Sequence, residues 1–321
     1  MPPKRRRTSE SSSTENGGQQ ENATTTEPQP HDEFWFSDGS IVLATDIHLY
    51  RVHKSVLARY SKVFSDMFEI PTGDANTESW EGVPIVRMVG DSDGDVCVLL
   101  KALYGVNLHV ALRDSSIPEV TSLLSMSSKY DCQAIRADVM QRLEFLFPNK
   151  LEKYEEAKLF WGQFSPGQVF ELLLVAHRCE ALLILPILYY LCARFPPETI
   201  IDHIDALPKD YTKALLVGRD ELREMSNRIT QRSLLSSQIE GEFERGCGRI
   251  ACTERFRGLV SERDLVLVFD IPDCDILKGI HRICNDCALR HKVFVRDIKE
   301  LNWDELPVRF LERSWEDLGR T

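Results

Sequence analysis

The sequence lacks several motifs by which common enzyme classes are recognised. It has no glycine-rich phosphate loop of the G-x-x-x-x-G-K-[S/T] type and no H-E-x-x-H metal-binding helix. It also shows no kelch, ankyrin or C2H2 zinc-finger repeat. These absences remove the usual signatures of nucleotide hydrolysis, of metalloprotease chemistry and of repeat-built binding domains. We therefore expect a non-enzymatic protein.

Long apolar segments and net positive charge are also missing. The longest apolar run, residues 181–193, contains Pro186 and is shorter than the ~20 residues that span a bilayer, so it predicts a buried helix. The basic N-terminus has no apolar segment of the signal-peptide kind. The formal net charge of −11 argues against a basic surface for nucleic acid. We expect an intracellular protein that contacts neither membranes nor nucleic acids directly.

Residues 1–32 have the composition of a disordered tail, because polar residues and proline dominate and no large apolar residue follows Met1. Such a segment cannot bury enough surface to offset the entropy lost on ordering. Within it lies a basic cluster that is similar to a short nuclear-import signal: Lys4, Arg5, Arg6 and Arg7. The alternative is a solvated basic start, so the sequence leaves both nucleus and cytoplasm open.

The most regular pattern lies in residues 38–68. Two extended runs, residues 41–44 and 47–52, are separated by a polar break, which predicts a strand hairpin. The apolar period then lengthens to three or four residues, which predicts an amphipathic helical hairpin. The apolar positions that share this helical face are Val52, Val56, Tyr60, Val63, Phe64, Met67 and Phe68. Strands that lead into helices around one core are typical of an α+β fold.

This segment resembles the BTB/POZ domain. The family pattern is an aspartate before an alternating strand, followed by His-Lys/Arg-x-Val/Ile-Leu and then Ser-x-x-Phe. The matching positions are Asp38, Ile41, Leu43, Leu49, His53, Lys54, Val56, Leu57, Ser61 and Phe64. The resemblance implies a short sheet with helical hairpins over residues 33–150. It also implies a protein-interaction module that is often a homodimer, although a fold alone does not fix a function.

The resemblance further implies candidate interaction residues. In family dimers a charged pocket lies at the interface, and its aspartate and basic residue match Asp38 and Lys54. Because a buried ion pair is costly unless its members satisfy each other, this pair would set partner specificity more than affinity. For His53 we expect packing and hydrogen bonding at the start of the helix. The partner would be a second copy of the chain or another BTB chain.

Another use of BTB proteins is as substrate adaptors of a cullin-type ubiquitin ligase. That use often carries an apolar-x-Glu motif after the helical hairpin, and Met67-Phe68-Glu69 has this composition. Met67 and Phe68 are equally explained as core residues. Binding to a cullin scaffold, or a role as a nuclear transcriptional co-regulator, stays open beside dimerisation and partner recruitment.

Residues 151–321 predict an all-α C-terminal domain. Ser165-Pro166 opens a helix, residues 181–195 form a second one, and residues 210–240 form a long helix that is broken or bent near Gly218. The closing segment has apolar residues at helical spacing, which predicts docking on this domain: Trp303, Leu306, Phe310, Leu311, Trp315 and Leu318. With the cysteine pairs that precede it, this ending resembles a large group of fungal BTB proteins with a helical C-terminal half.

Two cysteine pairs in this half suggest a structural zinc site. Cys247 and Cys252 are separated by four residues, and Cys284 and Cys287 by two, which suits tetrahedral thiolate coordination. Four soft ligands favour Zn²⁺. Other side chains that could substitute for one ligand are His281, His291 and Cys274. The alternative is a set of separate reduced thiols, as expected inside a cell.

Overall fold

The computed structural model of the chain describes residues 27–70, 78–105, 107–236, 269 and 284–319, apart from the side chains of residues 227–236, 286, 287, 290, 291 and 294. A short mixed sheet and its helices come first in the chain. From residue 93 onward the described residues form helices and their connections, with no strand. The predicted α+β fold with a helical second half is confirmed.

The predicted strand hairpin consists of β2 (Ile41–Ala44) and β3 (His48–Val52), paired antiparallel with Ile41 opposite Val52. Every β2 side chain is buried. The reason is that one face of the sheet packs on the helices while the other carries its own small apolar cluster. The polar break forms the turn, where the Thr45 hydroxyl accepts two backbone N–H groups at 3.0 and 3.3 Å.

An edge strand precedes this hairpin and was not predicted as a strand. β1 (Gln29–Trp35) pairs in parallel with β3, and its first four residues lie in the segment predicted as a tail. Backbone hydrogen bonds hold it, including that from the Gln29 N–H to the Ile47 carbonyl at 3.0 Å. Phe34 supplies its one fully buried side chain. A strand with so little apolar surface shows no alternation in the sequence. The rest of the predicted tail, residues 1–26, lies outside the described residues.

Two further strands, β4 (Ser79–Trp80) and β5 (Val83–Arg87), complete the sheet, whose order is β1-β3-β2-β5-β4. β4 pairs antiparallel with β5, and β5 lies parallel to β2. β5 ends at Arg87, shortly before the chain turns at Gly90, whose φ of 81° lies in the left-handed region that glycine tolerates.

The predicted helical hairpin is formed by α1 (Lys54–Tyr60) and α2 (Lys62–Glu69). Ser61 separates the two helices with extended backbone, and its hydroxyl caps α2 by accepting a first-turn N–H at 3.1 Å. This break divides the apolar face that the sequence predicted. Part of the face is buried, whereas Tyr60 and Val63 are exposed.

Helices complete the first half of the chain. Their bounds are α3 (Asp93–Tyr104), α4 (Leu108–Asp114), α5 (Ile117–Lys129) and α6 (Gln133–Leu146). α4 is a short helix of which only Leu112 is fully buried.

The second half is helical as predicted. Its helices are α7 (Tyr154–Trp161), α8 (Pro166–Arg178), α9 (Leu185–Arg194), α10 (Pro197–Ile204), α11 (Lys209–Ser236), α12 (Asn285–Leu311) and α13 (Trp315–Leu318). One predicted helix, residues 181–195, instead starts as a separate 3-10 turn. α9 begins after that turn, with Pro186 in its first turn, where the missing N–H of proline costs no helical hydrogen bond.

The helices α5 and α8 share one local design. Both begin with a capping box, in which a serine and a residue three positions later satisfy each other's backbone N–H, and both have proline in the first turn. Both are followed by a non-glycine residue in the left-handed region, Asp131 (φ 46°) and Glu180 (φ 53°). α8 lies against α5. The second half therefore continues the helical stack of the first.

The closing segment docks on the helical half, as the sequence predicted. The buried side chains of α12 and α13 include Trp303, Leu306, Phe310 and Leu318. Phe310 stacks on Tyr189 of α9 with ring centroids 5.1 Å apart. α11 runs without a break past Gly218, where the sequence predicted a helix that is broken or bent. Gly218 instead makes room for Phe310, since an added Cβ would lie 2.3 Å from that ring.

One apolar core runs through both halves of the chain. Within it, Phe269 is fully buried among the rings of Tyr154, Tyr190 and Trp303, with centroid distances of 5.5, 5.2 and 5.4 Å. The halves are therefore packed as a continuous body. Among the described helices, none combines the length and the apolar character needed to cross a membrane.

Candidate interaction site

His53 lies where β3 leads into α1 and joins two elements by hydrogen bonds. Its backbone N–H donates to the Tyr104 hydroxyl at 2.9 Å, and its Nδ1 lies 3.0 Å from the same oxygen. Since that oxygen accepts the N–H, its own proton is directed at Nδ1, and the ring proton is assigned to Nε2. Nε2 lies 3.2 Å from Asp38 Oδ1 and donates to it. The expected packing and hydrogen-bonding role of His53 fits this geometry.

The carboxylate of Asp38 is held at the surface by His53. The hydrogen bond from His53 lowers the pKa of Asp38 the most. A hydrogen bond from the backbone N–H of Asp38 lowers this pKa further. The Asp38 side chain is nevertheless 81% exposed, so its second oxygen remains open to solvent. Burial raises the pKa of Tyr104, which keeps this hydroxyl protonated and available as a donor.

Lys54 does not pair with Asp38 within the chain. Its backbone N–H donates to the Ser40 hydroxyl at 3.0 Å, and its ammonium lies 5.5 Å from the centroid of the Phe68 ring. Among the described residues it forms no ion pair. Asp38 and Lys54, the charged pair expected from the resemblance, thus lie on neighbouring segments but do not form an ion pair with each other. Its role at a dimer interface stays a prediction.

An apolar surface lies on the helical hairpin beside these charges. Val63 and Met67 lie one turn apart on α2, Ile70 immediately follows this helix, and Tyr60 precedes it at the end of α1. Tyr60, Val63 and Ile70 are 39%, 41% and 65% exposed, and Met67 is half-buried. We call these four residues the α1–α2 patch. The sequence predicted an apolar face here but placed it in the core.

The apolar-x-Glu segment is split between core and surface. Met67 and Phe68 pack against the core, whereas Glu69 and the following Ile70 are exposed at the end of α2. Any contact of this segment with a cullin scaffold would therefore be made chiefly through Glu69 and Ile70.

Residues 90–94 spell G-x-S-x-G, the motif of a serine nucleophile, between β5 and α3. A nucleophile elbow requires a strained serine, but Ser92 has extended backbone with φ −72° and ψ 154°. Its hydroxyl caps α3 by accepting the Asp95 N–H at 3.1 Å and donates to the Asp95 carboxylate at 2.7 Å. No histidine among the described residues bonds to it. The motif is used here as a helix cap.

The predicted zinc ligands lie largely outside the described residues. This holds for Cys247 and Cys252 and for the Cys287 side chain, whereas Cys284 is half-buried and immediately precedes α12. Within the part of the chain that the structure describes, no group of three or more potential ligand side chains is close enough to hold a metal ion. The zinc site stays a prediction.

Comparison with known families assigns the first half of the chain. Residues 31–145 match the family model for the BTB/POZ domain. A search of curated proteins and a search of solved structures each found no match. The chain therefore contains a BTB/POZ domain, a protein–protein interaction module, to which the helical second half is joined. The predicted likeness of that second half to a fungal group stays a prediction.

Proposed function

We propose that this chain is a non-enzymatic recruitment protein that forms a dimer of two identical copies through its BTB/POZ domain. The observation that carries the proposal is the α1–α2 patch, in which apolar side chains are exposed on a domain whose core is otherwise well filled. Exposed apolar patches mark interaction surfaces, and an aromatic side chain such as that of Tyr60 is a frequent anchor of protein interfaces.

The charges next to the patch support a second copy as the partner. Asp38 is accessible, and Lys54 has no carboxylate partner among the described residues of its own chain. In a two-fold symmetric contact each copy presents both charges, so Asp38 of one copy and Lys54 of the other are complementary. Such pairs would fix register and partner choice, while the apolar patch supplies most of the affinity.

The first test is the mass of the full chain in solution, measured by sedimentation equilibrium over a range of concentrations. We expect a dimer, and we expect the double variant Tyr60→Asp/Val63→Asp to be monomeric. Loss of one interface anchor typically costs about 2 kcal/mol or more, which is roughly thirtyfold in Kd. Leu159→Asp is the matched control, since Leu159 is 77% exposed on α7. A wild-type monomer, or a double variant that still dimerises, would overturn the proposal.

A charge exchange tests the specificity of the contact. Asp38→Lys and Lys54→Asp should each weaken self-association, because each places like charges opposite one another. A mixture of the two single variants should form a heterodimer more readily than either forms a homodimer. Equal association in all three combinations would show that these charges are not at the interface.

A cullin scaffold is a second candidate partner, supported by the exposure of Glu69 and Ile70 at the end of α2. The test is direct binding of the full chain to a purified cullin N-terminal region. Glu69→Lys is the informative variant, because Met67 packs against the core and its replacement would also affect folding. If wild type and Glu69→Lys bind equally, or if neither binds, this use of the segment is excluded.

Structural zinc is proposed on ligand spacing alone, through Cys247, Cys252, Cys284 and Cys287. Native mass spectrometry should find one metal ion per chain. Replacement of Cys284 and Cys287 by serine should remove it, whereas replacement of the buried Cys192 should not. A metal-free wild type would leave the BTB/POZ domain intact and remove the zinc site.

A further inference from the structure

A large groove lies at the surface where the BTB/POZ domain meets the helical half, and it shares no residue with the α1–α2 patch. Its volume is about 1080 Å³. The walls are the C-terminal ends of α5 and α8, one side of α6, the 3-10 turn before α9, and α13. A groove of this size lies at the upper end of the range for small-molecule sites and accommodates several residues of a peptide.

Three arginines line the groove without ion-pair partners. Arg178 and Arg313 are exposed, and Arg136 uses one Nη2 donor on the Cys179 carbonyl at 2.7 Å. None of the three pairs with a carboxylate in the described ranges of the chain. A guanidinium presents a fork of donors that matches a carboxylate, so these arginines form an unused set of carboxylate-binding groups.

Three carboxylates line the same groove: Asp131, Glu144 and Glu180. Over the residues that the structure describes, these side chains form no ion pair either. A lining with both signs of charge repels polyanions at its acidic positions, which disfavours nucleic acid and anionic membranes as occupants. It is complementary to a peptide that carries both acidic and basic side chains.

The groove also has an apolar part and a buried polar atom. Met140, Leu182 and Leu183 are half-buried along its wall. The Ser128 hydroxyl lies buried beside them with no hydrogen-bond partner in the described structure. The carbonyl one turn earlier, that of Leu124, already accepts the Ser127 hydroxyl at 3.3 Å and the Cys179 thiol at 3.6 Å. The Ser128 hydroxyl is therefore a buried polar group for which the described residues supply no partner.

We propose that this groove is a second recognition site, which binds a peptide segment of a partner protein. The segment has an apolar anchor flanked by an acidic and a basic side chain. The acidic side chain pairs with Arg178 or Arg313, the basic one with a groove carboxylate, and the anchor lies on the leucines. This site is distinct from the dimer contact and does not depend on it.

The test uses a phage-displayed random peptide library selected on the full chain, followed by affinity measurement on the enriched peptides. The blocking variant is Ala137→Trp, because Ala137 is an exposed α6 residue in the groove wall. Ala134→Trp is the matched control, on the same helix, equally exposed and outside the groove. We expect Ala137→Trp to weaken the enriched peptides by roughly ten- to a hundredfold, as loss of a charged pair and an anchor implies, and Ala134→Trp to leave them unchanged.

A charge reversal then identifies the contacts. Arg178→Glu/Arg313→Glu should weaken peptides that carry the acidic residue, and exchange of that residue for lysine should restore binding. Arg223→Glu, an exposed reversal on α11, should have no effect. Unchanged thermal unfolding would show that the variants are folded. If no peptide is enriched, or if the enriched peptides are indifferent to Ala137→Trp and to the charge reversal, the proposal is overturned.

Discussion

The α1–α2 hairpin and α12 carry similar apolar patterns but meet different surroundings. On α12, Trp303 and Phe310 are buried against helices of the same chain. On the hairpin, Tyr60 and Val63 also belong to an apolar pattern of helical spacing, but they remain exposed. Periodicity thus predicts that a helix has an apolar face, but it does not tell what covers that face.

The difference separates two energetic roles. Burial of the α12 face occurs during folding of the single chain, so its side chains should contribute to the free energy of unfolding. The hairpin face remains exposed to solvent after the chain has folded, so its side chains should contribute to the free energy of dimerisation instead. The following changes test this division, from the largest expected effect on stability to the smallest.

Phe310→Ala should have the largest effect. The ring is buried and stacked on Tyr189, and truncation of a buried phenylalanine typically costs about 3–5 kcal/mol of unfolding free energy. Chemical denaturation of the full chain measures this loss. Val308→Ala on the same helix is the control, because Val308 is 48% exposed. Equal losses in the two variants would contradict the described docking of α12.

Gly218→Ala should also destabilise the chain, although alanine favours helices. The added Cβ would lie 2.3 Å from the Phe310 ring. Overpacking of this kind costs about 1–3 kcal/mol, which outweighs the gain of up to about 1 kcal/mol from helix propensity. Gly162→Ala is the matched control, since no atom lies within 4 Å of its added Cβ. The order of the two unfolding midpoints checks the prediction, and a more stable Gly218→Ala variant would contradict it.

His177 should make the helical half sensitive to acid. Burial lowers its pKa from the ordinary value of 6.5 to about 4, and it stacks on Tyr211 and bonds to the Tyr189 hydroxyl at 2.8 Å. Between these pH values the unfolded chain binds a proton that the folded chain does not. This contribution to stability is therefore complete above pH 6.5 and is lost as the pH falls toward 4.

The measurement for this prediction is the unfolding free energy at a series of pH values for wild type and His177→Phe. The variant should depend less steeply on pH between 6.5 and 4, the window set by the two pKa values. His109→Asn, a change at an exposed histidine, should retain the wild-type slope. Parallel curves for wild type and His177→Phe would contradict the prediction.

Tyr60→Asp/Val63→Asp should have the smallest effect on the stability of the monomer. Substitutions at exposed positions usually change the unfolding free energy by less than about 0.5 kcal/mol each. Chemical denaturation at a protein concentration too low for dimers to form measures the unfolding free energy of the monomer alone. A loss as large as that of Phe310→Ala would mean that these side chains belong to the core.

Local signals in the sequence predicted much of the fold. The polar turn at Thr45 and the Ser165-Pro166 helix start depend on neighbouring residues only, and the structure has both. β1 was missed because backbone hydrogen bonds hold it. The role of Gly218 was missed because it depends on Phe310, which is distant in the chain.

The candidate site was predicted in part. Asp38, His53 and Lys54 were found through the BTB/POZ resemblance, but Tyr104, which fixes the His53 ring, was not identified as part of the site. Its contact with His53 crosses between distant segments and leaves no local signal. Exposure of the α1–α2 patch depends on how the break at Ser61 orients each helix, and spacing does not encode that orientation.

The most direct measurement of the central claim is hydroxyl-radical footprinting of the full chain, from dilute to concentrated solution. If a second copy covers the α1–α2 patch, oxidation of Tyr60 and Met67 should fall as the concentration rises. Trp80 is 37% exposed, close to the 39% of Tyr60, and its oxidation should stay constant. Oxidation of Tyr60 and Met67 that does not change with concentration, or that changes in step with Trp80, would contradict the account.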